Sequence, residues 1–202
     1  MWDQLADEKT LEKTVAALKS NGIETVVVAN GEEAKKKVLE IIPQNAEVMT
    51  MTSVTLDTIG IAKEINESGK YNSVRNKLFS MDRNTQPAEM NKLGAAPDWT
   101  IGSVHAATVD GKLLISSNSG SQLPAYAYAS PHVIWAIGAQ KIVKNTDEAI
   151  KRIYEYVLPL ESERAKKAYG VPGSFVSKIL IINKEIQPGR LTVVIIKEKL
   201  GF

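Results

Sequence analysis

The sequence predicts an α/β protein, a three-layer α/β/α sandwich built around a mostly parallel mixed sheet. Three observations carry that expectation. Stretches with helical spacing alternate with short β-branched apolar runs from one end of the chain to the other. The longest apolar runs, Val133 to Ala139 and Leu191 to Ile196, have the length of buried strands and fall far short of the roughly 20 residues that cross a bilayer. No internal repeat or low-complexity segment interrupts the pattern, so 1–202 reads as one domain long enough to bury a sizeable core.

The elements follow in order. Leu11, Val15 and Leu18 recur at helical spacing, and Asn21-Gly22 ends the run because both residues tolerate the left-handed conformation, which predicts a helix over 7–20. Ile23 to Ala29 is a β-branched strand. Ala34, Val38, Ile41 and Ile42 return to helical period until Pro43 breaks it. Residues 46–51 form a second short strand, after which Thr52-Ser53 can cap a helix with Leu56, Ile59 and Ile65 on its inner face. Residues 68–98 are irregular, with helical fragments at 75–79 and 88–93. Two strand-like runs, 99–106 and 112–117, flank Val109-Asp110-Gly111, and Asp-Gly is a favoured pair for a tight hairpin turn. The second run leads through a serine-rich corner into a helix over 122–129 and then a strand over 132–138, which predicts a right-handed parallel unit. Ile150, Ile153, Tyr154, Val157 and Leu158 mark one face of a helix over 147–158, and a further helical turn covers 161–169. Strands at 178–183 and 191–197, joined through Pro188-Gly189, close the chain.

Composition narrows the function. Lys plus Arg is 25 and Asp plus Glu is 23, a formal charge of +2, without the basic excess that a nucleic-acid partner demands. There is no cysteine, which removes thiolate nucleophiles and Cys-ligated zinc or iron–sulfur centres, so no cofactor is expected on this chain. The acidic, polar start, Met1-Trp2-Asp3-Gln4-Leu5-Ala6-Asp7-Glu8-Lys9, is unlike a signal sequence and predicts a cytoplasmic protein without a membrane partner.

The chemistry-bearing stretch is Asn118-Ser119-Gly120-Ser121-Gln122, small and polar, between an apolar strand and a helix start. Exposed backbone N–H groups and about half a positive charge at a helix start can hold an anion, with the N–H groups of 119–121 as donors and the Gln122 amide beside them. The competing reading is a turn in which Ser119 or Ser121 caps its own helix. A second hydroxyl-rich corner, Thr50 to Thr55, with Thr50, Thr52 and Ser53 as candidates, ends another strand, and ligands in open α/β sheets bind at that edge. Both corners are expected on one edge of one sheet. Arg75, in the irregular segment with Lys77 and Arg83, is the candidate counter-charge. His105 and His132 read as structural, since no third histidine and no patterned carboxylates complete a metal site, and Asp110 reads as turn chemistry. Tyr126 and Tyr128, two apart on one helix, face different ways, one toward the core and the other toward the cleft or an interface.

Asp98-Trp99 through Gly102-Ser103-Val104-His105-Ala106, Asp110-Gly111, Asn118 through Ala127, Gly138-Ala139-Gln140-Lys141-Ile142-Val143, Ile181 through Glu185 and Glu198 through Phe202 together resemble the LUD (lactate utilisation) domain family. The resemblance implies a fold like that of ribose-phosphate isomerase, glucosamine-phosphate deaminase and the CoA transferases, with ligands at the carboxyl edge of the sheet. It also implies a relation to multi-subunit systems that oxidise L-lactate, whose iron–sulfur clusters ride on Cys-rich partner subunits. Having no Cys, this chain resembles the small cluster-free component or a stand-alone relative. The glutamate that carries the acyl-CoA intermediate in CoA transferases has no match here, which argues against CoA transfer. Three functions remain open: an accessory subunit of an organic-acid oxidising system that binds a small anionic metabolite, a stand-alone isomerase- or transferase-like enzyme on a phosphorylated or carboxylated metabolite, and an interaction module. Iron–sulfur partner subunits and a homo-oligomer are the partners left open.

Overall fold

The computed structural model describes residues 2–202. Helix α1 (Glu8–Ser20) starts where the Asp7 carboxylate accepts from Thr10 N–H at 2.8 Å, and it ends at Asn21 before Gly22, whose φ is +78°. Strand β1 (Glu24–Val28) leads to α2 (Gly31–Ile41), capped by the Asn30 side chain on Glu33 N–H. Strand β2 (Glu47–Thr50) is followed by α3 (Val54–Thr58), which Ser53 caps through Leu56 N–H, and by α4 (Ile61–Glu67). The irregular segment holds β3 (Asn72–Ser73), α5 (Val74–Ser80) and α6 (Pro87–Ala95), so both expected fragments lie inside longer helices. Then come β4 (Trp99–Gly102), β5 (Ala106–Thr108), β6 (Leu113–Ser117), a π-helical turn (Ala125–Ala129), β7 (His132–Gly138) and β8 (Ile142–Val143). Helix α7 (Thr146–Arg152) widens into a π-helical turn (Ile153–Val157) and continues as α8 (Leu158–Tyr169), before β9 (Lys178–Ile182) and β10 (Leu191–Ile196).

The main sheet has the order β1-β10-β7-β4-β2-β3 with every neighbouring pair parallel. Its central strands β10, β7 and β4 bury both faces, as parallel strands in such folds do. Val133, Trp135 and Ile137 of β7 point to one core, while Ile134 and Ala136 point to the other, where Ala34, Val38, Leu56, Ile61 and Ile65 of α2, α3 and α4 pack. A second sheet, β8-β5-β6-β9, lies across the first core beside α1 and the turn that carries Tyr126. Its outer face takes Ala149 and Ile153 against Ala106 and Leu114. Among the described residues no helix is long and apolar enough to cross a membrane.

Three expectations are corrected. The 99–106 run is two strands, because the chain leaves the main sheet after Gly102 and enters the second sheet at Ala106. The 112–117 strand does not form a parallel unit with 132–138. Instead β6 pairs antiparallel with β5 through the Asp110-Gly111 hairpin and with β9, while β7 sits in the main sheet. A five-residue strand buried on both faces satisfies either sheet equally, so its apolar pattern does not choose between them. Finally, the helix over 147–158 does not keep one face. The π-helical turn rotates it, leaving Ile153 and Val157 buried but Tyr154 48% exposed.

The hairpin is a surface turn that docks on α1. Asn21 Nδ2 donates to the Asp110 and Gly111 carbonyls at 3.1 and 3.0 Å, and Gly111 has φ +82°. A Cβ at Gly111 would come within 2.7 Å of the Ala17 carbonyl carbon. Gly111→Ala is therefore expected to lower unfolding free energy by about 1–3 kcal/mol through backbone strain and overlap. Urea unfolding with an unchanged midpoint would show that the hairpin does not dock there.

Candidate functional site

One large cleft, about 900 Å³, opens at the carboxyl edge of the main sheet. Thr52 and Ser53 reach it from the end of β2, and Ser117 to Gln122 reach it from the end of β6. The two hydroxyl-rich corners thus face one cleft, but from two sheets rather than from one edge of a single sheet. Thr50 does not line it. It is fully buried, and its carbonyl accepts from Arg75 Nε at 2.7 Å.

The serine corner is largely occupied with itself. Gly120, with φ +88°, donates its N–H to Ser117 Oγ at 2.8 Å, and Ser121 N–H goes to Ser119 Oγ at 3.3 Å. The Gln122 side chain accepts from Ser117 Oγ at 2.9 Å and donates to the Ser116 carbonyl at 3.4 Å, while Asn118 Oδ1 accepts from Ser177 Oγ. Two of the three backbone donors expected for an anion are therefore spent inside the turn. The following helical segment is a wide π-helical turn rather than a long α-helix, so it aligns few peptide dipoles.

Charge in the cleft comes from elsewhere. Arg75, on α5, reaches back to β2, bonding Thr50 O and Thr52 Oγ1 (3.1 Å from Nη2). Among the described residues no carboxylate forms an ion pair with it. Burial pushes its pKa down from the ordinary arginine value, yet it remains a cation at neutral pH. Arg164, also at the cleft, is held instead by Glu161 in a two-pronged pair at 2.7 and 2.7 Å. Arg75 is thus a cation in the cleft whose charge no carboxylate neutralises.

Lys141 is the site residue that the sequence reading passed over. Only 2% exposed, it lines the floor of the cleft, and Nζ bonds Ser103 Oγ at 3.0 Å, Thr55 Oγ1 at 3.2 Å and the Val104 carbonyl at 3.2 Å. Burial, reinforced by the charge of Arg152, lowers its pKa to about 7. The sequence does not single it out: the lack of any Asp or Glu within four residues, in an apolar setting, is shared by exposed Lys178. His105 also reaches the cleft rather than only filling a strand. Its Nδ1 accepts from Ser116 N–H at 3.0 Å, which places the proton of the neutral ring on Nε2. Burial first, then Lys141 and Arg152, push its pKa down to about 3, so the ring stays neutral. Tyr126 is buried at 2% and lines the same cleft, with its hydroxyl packed over Gly102, while Tyr128 is 88% exposed. Tyr126 is therefore the core-facing one of the two and also lines the cleft, while Tyr128 faces outward, away from it. His132 stacks on Trp99 at 4.2 Å, away from the cleft, and Asp110 pairs with Lys112 on the surface. Among the described residues no three His, Asp or Glu side chains gather as a metal site requires.

Residues 11–196 match the family profile described as the LUD domain. No curated protein matches the chain. Among solved structures it is similar to a DUF162 family protein from Deinococcus radiodurans, described from a crystal structure at 1.70 Å, with 11% identity and a TM-score of 0.57. The alignment covers 96% of this chain and 99% of that one. At that identity the likeness is one of fold.

The buried lysine makes a testable pH signature. Its folded-state pKa, about 7, lies below the 10.5 of a free lysine. Between those values the unfolded chain binds more protons than the folded one, so stability rises with pH across that window. The slope from one proton is at most about 1.4 kcal/mol per pH unit. Urea unfolding from pH 7 to pH 10 is expected to show this rise in the parent and a flatter curve in Lys141→Met. Equal slopes would mean that Lys141 stays charged when folded.

Proposed function

The chain belongs to the LUD domain family, and from that premise we propose that it binds a small anionic metabolite, a carboxylate or a phosphate, in the cleft at the carboxyl edge of its main sheet. Arg75 is the observation that carries this reading. A guanidinium placed in a cleft, partly desolvated and without a carboxylate partner, gains most from an incoming anion, because its charge is not already neutralised. Thr52 and Ser53 beside it, and Ser119 and Ser121 across the cleft, supply hydroxyl donors, with Gly120, Asn118 and Gln122 shaping the far wall.

The biological setting that fits is an accessory subunit, or a relative of one, in an L-lactate or organic-acid oxidising system, with the redox centres on partner subunits. A stand-alone enzyme on a phosphorylated or carboxylated metabolite is the second reading. Lys141 favours it, because a lysine with a pKa near 7 serves as a base at neutral pH. Cleft size points the same way, since about 900 Å³ is near the upper end for small-molecule sites and holds far more than a three-carbon acid. An interaction module would have had this cleft filled by its own side chains.

A thermal-shift screen with L-lactate, pyruvate, sugar phosphates and CoA esters tests the reading. A ligand at a hundred times its dissociation constant stabilises the fold by about 2.7 kcal/mol. Arg75→Ala is expected to weaken the responding anion by about tenfold or more, the loss of a charged hydrogen bond, and Ser121→Ala by less than that. Unliganded melts of each variant separate lost binding from lost folding. A folded Arg75→Ala protein that binds as tightly as the parent would remove Arg75 as the anchor.

A further inference from the structure

We propose that Ser103 and Lys141 form a serine–lysine pair for acyl transfer, in which Ser103 attacks the carbonyl of an ester or thioester bound in the cleft. The inference takes the cleft to be the ligand site, as above, but does not depend on the ligand being an anion.

The hydrogen bonds around Lys141 assign the roles. The Thr55 hydroxyl donates to the Leu200 carbonyl at 3.2 Å, so toward Lys141 it can only accept. The Val104 carbonyl can only accept as well. These two partners use two N–H bonds of Nζ, which is all a neutral amine has. The remaining position on Nζ faces Ser103 Oγ at 3.0 Å. The Ser103 hydroxyl itself donates to the Val104 carbonyl at 3.4 Å, a long and weak bond; on a neutral lysine the nearer Nζ position is a lone pair, and the hydroxyl turns its proton to it. On an ammonium it is a third N–H. The same heavy-atom arrangement therefore serves both protonation states, and a proton can pass between the two side chains without rebuilding the site. A pKa of about 7 makes both states accessible at neutral pH.

Exposure separates nucleophile from base. Lys141 is shut in, whereas Ser103 is partly exposed and lines the cleft directly after the carboxyl end of β4, a central strand of the parallel sheet. Because Ser103 is the more exposed of the two, an incoming carbonyl meets the serine first. Two residues on, neutral His105 presents Nε2–H with no hydrogen-bond partner among the described residues, a donor suited to an oxyanion.

The step balances without an oxidant or reductant. Ser103 Oγ bonds to the acyl carbon while its proton passes to Lys141 Nζ. The tetrahedral adduct then expels the alkoxide or thiolate, which takes that proton, leaving an acyl-serine. Water adds to the acyl carbon as Lys141 accepts its proton, Ser103 leaves with the proton returned, and the free acid departs.

Incubating the full chain with p-nitrophenyl acetate, and separately with a short-chain acyl thioester, followed by acid quench and peptide mass mapping, tests this. A burst of nitrophenol equal to the protein present and an acetyl group on Ser103 are expected, with a rate that rises through pH about 7 as Lys141 loses its proton. Ser103→Ala should carry no adduct, and Lys141→Met should acylate about a hundredfold or more slowly. Should Lys141→Met fail to fold, the pH profile of the parent and the Ser103→Ala map decide. No adduct, an adduct on Lys141 Nζ or elsewhere, or a rate without inflection near pH 7 overturns the proposal. The anion response of Arg75→Ala, read on separate samples, reports on the binding reading independently.

Discussion

The passage of the chain from one sheet to the other, between Gly102 and Ala106, is the constraint around which the site is arranged. Leaving the main sheet deprives the Val104 and His105 carbonyls of ladder partners, at a buried position for Val104 and a part-buried one for His105. Two buried cations fill the gap, Lys141 on the Val104 carbonyl and Arg152, through Nη1, on that of His105. On the other side of the crossing Tyr126 lies so close to Gly102 that no Cβ fits there. The crossing therefore demands a glycine, a tyrosine, a lysine and an arginine at fixed places, three of them drawn from distant segments of the chain.

Satisfying those carbonyls with cations rather than with neutral donors has an electrostatic consequence. Neither Lys141 nor Arg152 has a carboxylate partner among the described residues, so burial lowers both, offset at Arg152 only by Tyr156, whose ring lies 5.1 Å from the guanidinium, and the Arg152 charge lowers Lys141 further. The pKa values fall to about 7 and about 10, and the neighbouring imidazole is held neutral. Arg190 shows the contrasting solution. It is equally buried and also donates to backbone carbonyls, those of Ala125, Tyr126 and Ser130, but Glu185 lies 2.7 Å away to balance it. Arg190 is thus a paired cation that braces the fold, whereas Lys141, at the cleft, has no carboxylate to balance it.

What could be read from the residues follows from how local each signal is. The α1 stop at Asn21-Gly22, the Ser53 cap and the Asp110-Gly111 hairpin depend on the conformational preferences of a few adjacent residues, and the structure has all three. Sheet membership is not local. The 99–106 run carries no Pro or charge to mark the break, and β6, Leu-Leu-Ile-Ser-Ser, is buried at every position, so no alternation ties it to one sheet. The π-helical turn at Ile153–Val157 is similarly silent, because the apolar spacing that suggested one continuous face is what the extra residue per turn disrupts. Of the site residues, Arg75, Thr52, Ser53 and the serine corner could be named from loop position and residue type, but Lys141 and Ser103 acquire meaning only when β4 and the turn after β7 are brought together.

That distinction also explains why the serine corner, the most conspicuous polar stretch of the sequence, is not where the cleft holds its charge. Small hydroxyl residues are as good at bonding their own turn as at bonding a ligand, and here Ser117, Ser119 and Gln122 have used most of that capacity to hold the chain between β6 and the turn that carries Tyr126. A short π-helical segment adds little dipole to offset the loss. Across the cleft, Arg75 spends its hydrogen bonds on Thr50 and Thr52 while keeping its charge unmatched, because backbone and hydroxyl oxygens accept its protons without neutralising it. Hydrogen bonding and charge compensation are separate requirements. A ligand that meets the second without competing for the first can approach Arg75 from the cleft, with the serine corner acting as the opposing wall that sets how large its remaining part can be.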